Sequence, residues 1–141
     1  MINETYRTDI STDTATELAS VARTSLGDTL RSIIYFTPSS FDVIYLRQGL
    51  YDSPDAARPD KKQLVELERV GFAEIPVRTT TAERGDGLSI GPYEFTVRFH
   101  DDGFVIRVLQ DDAGVILTAD SMDVNAFEDA AIAIRRLLSS E

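Results

Sequence analysis

Residues 93–119 read YEFTVRFHDDGFVIRVLQDDAGVILTA, and this stretch decides the fold. Phe95, Val97 and Phe99 alternate with Glu94, Thr96 and Arg98, the period of two that a half-buried strand requires. His100-Asp101-Asp102-Gly103 is turn chemistry, Phe104–Leu109 is the next strand, Asp111-Asp112-Ala113-Gly114 is a second turn, and Val115–Ala119 is a third strand. Three strands joined by two short turns make an antiparallel meander.

Working outward, the C-terminal side predicts a helix over about residues 123–138. Its apolar positions Phe127, Ala130, Ala131, Ile134, Leu137 and Leu138 follow a helical stripe. On the N-terminal side, residues 76–92 hold Pro76, three consecutive threonines, Gly85, Gly87, Gly91 and Pro92, and read as a long loop. Before it, a helix is expected from Asp60, with Leu64, Leu67 and Val70 as its stripe and Gly71 as its stop; residues 51–59 read as a loop. A further helix is expected from Ser39, with Asp42 in its first turn, Phe41, Ile44 and Tyr45 on its apolar side and Gly49 at its end. Leu30–Phe36 reads as a strand. The first helix spans about 14–26, with Thr14 and Glu17 as a capping box, Leu18, Val21, Ala22 and Leu26 inward, and Gly27 as C-cap. Residues 1–12 are polar and expected to be flexible. The order α-β-α-α-β-β-β-α implies a single α+β domain over 13–141. It has two layers, about four helices flanking an antiparallel sheet, and the first strand joins the meander at an edge or in the centre.

Charge is the strongest compositional signal. The 141 residues carry 24 Asp plus Glu against 14 Lys plus Arg, a net charge of −10; Asp (15) exceeds Glu (9), and only Lys61 and Lys62 are lysines. Such a surface repels itself in dilute buffer. In molar salt the Debye length falls to roughly 3 Å and the repulsion is screened, so the composition points to a halophile's cytoplasm. The same balance argues against nucleic acid, whose phosphates need clustered cations; here only Lys61-Lys62 and Arg135-Arg136 are adjacent pairs. Cysteine is absent, which excludes disulfides, thiolate metal sites and a cysteine nucleophile. The polar N-terminus does not read as a signal peptide, and no run approaches the ~18 apolar residues of a membrane span. No cofactor or metal site is expected.

Candidate chemistry is sparse. His100, the single histidine, sits beside a hairpin turn with Asp101 and Asp102, where turn formation explains all three. Asp101-Asp102 and Asp111-Asp112 lack the alternating spacing of a calcium loop and lie at opposite ends of one strand. Gly85-Asp86-Gly87-Leu88-Ser89-Ile90-Gly91 is followed by Pro92 and a strand rather than by a helix opening on Lys, so it is no phosphate-binding loop. That leaves Arg47, Arg98 and Arg107 with Tyr35 and Tyr45 as candidate contacts for a ligand or partner. Arg98 and Arg107 flank one turn and are expected near each other, where they meet local carboxylates or hold an anion. The tyrosines either pack in the core or anchor a ligand through ring and hydroxyl.

The segments Gly27–Phe36 (Gly-Asp-Thr-Leu-Arg-Ser-Ile-Ile-Tyr-Phe), Phe41–Arg47 (Phe-Asp-Val-Ile-Tyr-Leu-Arg) and Gly103–Val108 (Gly-Phe-Val-Ile-Arg-Val) resemble a family of small haloarchaeal proteins of unknown function, over about residues 14–138. A second likeness is architectural. The meander followed by a long amphipathic helix, with Gly114–Asp120 leading into it, is similar to roadblock and other profilin-like domains. That resemblance implies dimers that serve as adaptors for GTPases. The sequence departs from it in placing two helices between the first strand and the meander, where roadblock domains have a second strand.

With no convergent catalytic set, the favoured expectation is a non-enzymatic regulatory or adaptor domain. It would be a homodimer acting through an unidentified protein partner or small ligand. The alternatives are a small enzyme using Asp, Arg and Tyr on an anionic molecule near residues 76–92, and a structural domain pairing through an exposed sheet edge.

Overall fold

The computed structural model describes residues 6–83 and 89–140. Five strands form one antiparallel sheet: β1 (Leu30–Phe36), β2 (Phe41–Leu46), β3 (Thr96–His100), β4 (Gly103–Gln110) and β5 (Ala113–Ala119), in the order β2-β1-β5-β4-β3. Four helices cover it: α1 (Thr12–Leu26), α2 (Pro54–Glu68), α3 (Val70–Glu83) and α4 (Val124–Ser139). The α+β class and the meander are as expected, and of the two places expected for the first strand β1 takes the edge of the meander, pairing with β5 on one side and β2 on the other.

The expected helix over 39–49 is instead β2, hairpinned to β1 through Thr37–Ser40, whose ends are closed by the Thr37 N–H on the Ser40 carbonyl. A β-bulge explains the misreading. Ile33 pairs with Tyr45 and Ile34 with Val43, so Ile44 is the extra residue. Ile44 and Tyr45 therefore both pack toward α1 and α4, while Phe41 and Val43 pack the other way. Phe41, Ile44 and Tyr45 mimic i, i+3, i+4 spacing because the bulge breaks the strand's alternation.

The two layers expected are three. Ile33 and Tyr35 of β1 face the cluster built by Leu18, Ala22, Ala130 and Ile134 of α1 and α4; Ile34 and Phe36 face Val65 of α2 and Phe72 of α3. Helices on both faces account for the nearly continuous burial of β1, β4 and β5. Alanines 22, 130 and 131 let α1 and α4 sit close over the sheet.

Helix boundaries shift as well. Ser11, not Thr14, caps α1 by accepting the Thr14 N–H at 3.1 Å, and Gly27 closes it at φ +60°. Ser53 caps α2, with Pro54 at the first position, so α2 begins in what reads as a loop. Its buried residues are Ala57, Lys61, Val65 and Glu68, while Leu67 is 64% exposed. The expected 76–92 loop is helical to Glu83; Pro76 falls in the second turn of α3, where Phe72 and Ile75 anchor the helix on the sheet. The glycine-rich run over 85–91 lies largely outside the described residues. From Tyr6 onward the N-terminus is docked: Asp42 accepts the backbone N–H groups of Arg7 and Thr8 at 2.8–3.0 Å, and Ile10 is buried in the core.

Candidate functional site

Among the described residues, three of the four buried charges, Lys61, Glu68 and Arg107, lie on the α2–α3 side of the sheet; the fourth is Asp42. Arg107 projects from β4 beneath the junction of α2 and α3 and is 2% exposed. Its guanidinium donates to the Glu68 carboxylate at 3.3 Å and the Glu68 carbonyl at 3.4 Å, and to Thr96, Tyr93 and Glu74 at 3.1–3.4 Å; Nε alone has no partner. Arg98, two residues beyond Thr96 on the neighbouring strand, donates Nε to the other Glu68 oxygen at 2.7 Å. That bond and the Glu68 charge hold the Arg98 guanidinium above its ordinary pKa. Gly71 makes the arrangement possible, because a Cβ there would stand 2.5 Å from the guanidinium carbon of Arg107. The two arginines thus share one buried carboxylate, as the salt-link alternative anticipates.

A second polar constellation lies at one end of the sheet. Asp120, just past β5, accepts from Arg31 at 3.0 Å and from Arg47, which also donates to the Asp28 carbonyl. The bonds from Arg47 and Arg31 hold the Asp120 carboxyl below its usual range, and the bond to Asp120 raises Arg47 in turn. Tyr35 is buried among core side chains on the α1–α4 side, and Tyr45 is half-buried with the Arg23 guanidinium 5.0 Å from its ring centre. Arg47, Arg98 and Arg107 are therefore spread over two constellations rather than gathered in one.

Between α2 and the β3–β4 hairpin is a cavity of about 710 Å³, whose walls include Arg31, Tyr51, Lys61, Leu64, Leu67 and Thr118. His100, Asp101 and Asp102 stand at its edge. The Lys61 side chain is 6% exposed; its ammonium is 3.7 Å from the Asp60 carboxylate and 5.3 Å from the Tyr51 ring centre. Burial pushes the Lys61 ammonium down in pKa despite Asp60. Burial, and a 2.6 Å bond donated to Asp60, push the Tyr51 phenol up to about 12. A smaller cavity of about 460 Å³ lies between Pro92–Glu94 and the end of α4. Neither cavity is lined by Arg47, Arg98 or Arg107. Among the described residues, no group of three or more His, Asp or Glu has the arrangement of a metal site, and no helix is long and apolar enough to cross a membrane.

Glu68, Lys61 and Asp120 are not singled out as site residues by the sequence. For the first two the signal is present: Ala57, Lys61, Val65 and Glu68 keep helical spacing once charged residues are admitted to the stripe.

The pattern over residues 16–139 matches a family described as a domain of unknown function, DUF7522. The chain belongs to the DUF7522 family. No curated protein matches it. Among solved structures, this DUF7522 chain is similar to the gliding protein MglB from Thermus thermophilus, at 13% identity and a TM-score of 0.59, over 94% of this chain and 96% of that one. The likeness is one of fold, the roadblock/profilin-like arrangement. The departure anticipated between β1 and the meander is half corrected: β2 supplies the second strand, while two helices, α2 and α3, still stand before the meander.

Proposed function

We propose that the protein is a non-enzymatic regulatory or adaptor domain of a salt-adapted cytoplasm, working through protein contacts as a homodimer joined at β3. The observation that carries the reading is the difference between the two sheet edges. At β2 the Phe41 carbonyl accepts from Arg58, whose guanidinium covers the Phe41 ring at 3.8 Å, and the N-terminal segment docks on Asp42. At β3 no strand among the described residues pairs with the outer edge, and Phe99 is 74% exposed. An open edge with an exposed aromatic is a ready template for a strand from another chain. A two-fold axis through β3 would extend the five strands into one continuous sheet, the self-complementary contact that closes a dimer. The fold shared with MglB and the roadblock resemblance agree with such a role.

Light scattering on the full chain, in dilute buffer and in roughly 3 M KCl where a charge of −10 is screened, tests this. Wild type is expected at the mass of two chains in KCl, and Phe99→Asp, which alters an exposed position, at the mass of one with its melting temperature little changed. Immobilised wild type in KCl should then capture a reproducible protein partner. A wild-type monomer in both buffers sinks the dimer, and an empty capture sinks the adaptor role.

A further inference from the structure

Lys61 occupies a position on α2 where an apolar side chain would pack without penalty. It lies on the buried stripe between Ala57 and Val65, and a buried ammonium costs several kcal/mol after relaxation, offset here in part by the Asp60 carboxylate at 3.7 Å and the Tyr51 ring at 5.3 Å. Its compensation is incomplete. The Asp60 oxygen at 3.7 Å is beyond hydrogen-bond distance, and the Asp60 side chain is 60% exposed and already accepts the Tyr51 phenol. Lys61 is on the wall of the 710 Å³ cavity together with Leu64, Leu67 and Phe104, and Thr118, whose hydroxyl is hydrogen-bonded to Ser32, lines it too.

We infer that this cavity binds a small monocarboxylate with an apolar body, its carboxylate on the Lys61 ammonium and its apolar part against Leu64, Leu67 and Phe104. Such a ligand supplies the charge and the hydrogen-bond acceptor that Lys61 lacks, and burial of the pair strengthens it. The other charges of the cavity set the ligand's valence. Arg31 is already paired with Asp120 at 3.0 Å, while Asp60, Asp101 and Asp102 stand on the wall and edge. A second negative charge, as on phosphate, would add to the repulsion from these three carboxylates, since Lys61 and Arg31 already face Asp60 and Asp120. The exposed Leu67, unexplained by core packing, becomes a ligand contact. Phe99 borders this cavity as well as the β3 edge, its ring centre 5.1 Å from that of Phe104, but octanoate binding and pairing at β3 are read by separate measurements.

Thermal unfolding of the full chain with three probes tests it: octanoate, 1-octanol (the apolar body alone) and inorganic phosphate (the charge alone). Octanoate is expected to raise the melting temperature saturably, and phosphate and 1-octanol to leave it unmoved. In Lys61→Met, which removes a buried charge and should fold at least as well, octanoate affinity should fall by at least about tenfold. Leu67→Glu, at an exposed position, should weaken octanoate similarly by placing a carboxylate on the wall, and it decides the matter if Lys61→Met does not fold. No saturable octanoate shift up to ~10 mM, the weak end of specific binding, overturns the site. Equal octanoate affinity in wild type and the variants, or a 1-octanol shift matching octanoate's, also overturns it. A Lys61-dependent phosphate shift overturns the monocarboxylate.

Discussion

The two faces of the sheet are built on opposite principles. The face under α1 and α4 is largely apolar: Leu18, Ile33, Ile106, Leu117, Phe127 and Ile134 are all buried, and the buried Asp42, opposite Tyr35, is met at close range by the backbone N–H groups of Arg7 and Thr8. The face under α2 and α3 holds a smaller apolar cluster around Ile34, Phe36, Val65 and Ile116, and beside it the buried ions Glu68, Arg107 and Lys61. The first face gains its stability from apolar area removed from water. The second balances desolvation against attraction and is specified by direction: Arg107 touches groups from α2, α3, β3 and the segment before it, fixing where the two helices land. Uniform burial makes a platform; a buried network with a cavity beside it makes a place where a ligand or partner can change something.

The comparison breaks most sharply by removing one member from each face. Phe127→Ala should cost ~3–5 kcal/mol through lost burial and the space left behind. Glu68→Ala should cost about as much, ~3–5 kcal/mol, because Arg107 stays buried with its main counter-charge gone. Rescue separates them. Glu68→Leu combined with Arg107→Met removes both ions and should recover most of the loss in urea unfolding, while no single second change restores the apolar void left at Phe127. A double variant no more stable than Glu68→Ala would show that packing, not charge, holds α2 and α3.

A sharper test of direction is Gly71→Ala. The new Cβ would fall 2.5 Å from the Arg107 guanidinium carbon and 2.8 Å from Leu109 Cδ1, so the side chains must yield. The expected cost is ~1–3 kcal/mol, typical of overpacking, read as a lower urea midpoint at unchanged slope. If the substitution is silent, Arg107 is free to move and the network does not set the helix positions.

The same contrast explains what could be read in the sequence. The largely apolar face was legible because burial there obeys periodicity: α1, α4, β1, β4 and β5 emerge from apolar spacing alone. The other face hides its elements. Ile44, bulged out of register, gave β2 a helical spacing. Lys61 and Glu68 took stripe positions on α2, and the apolar Leu67 pointed elsewhere. Pro59 and Pro76 sat inside helices, each in the second turn, where a proline argues for a break. Arg98 and Arg107 could be placed together from their hairpin positions, but their shared partner lay 30 and 39 residues away, and no local pattern encodes that distance.

The smallest expected effect concerns Asp120, whose ion pairs lie at the surface. Its side chain is 38% exposed, so two bonds from Arg47 and Arg31 are worth only about 1 kcal/mol together once solvent screening is counted. Asp120→Asn should remove that amount in dilute buffer. The sign with pH follows from the depressed carboxyl. The folded state holds Asp120 ionised more firmly than the unfolded chain does, so its contribution is complete above the unfolded value of 3.8 and is lost as pH falls through the lower folded value. Wild type and Asp120→Asn should therefore converge in stability in acid and stay apart at neutral pH. Salt should also bring them together, since at ~1 M the Debye length is about 3 Å. Taking the difference between the two chains leaves out most of the general screening of the acidic surface, which acts on both. Glu68→Ala, by contrast, should keep most of its cost in salt, because Glu68 and Arg107 are buried away from counterions. If Asp120→Asn holds its cost at ~1 M salt, the Arg31–Asp120–Arg47 cluster belongs energetically with the buried ions, and the division between a screened rim and an unscreened interior fails at this end of the sheet.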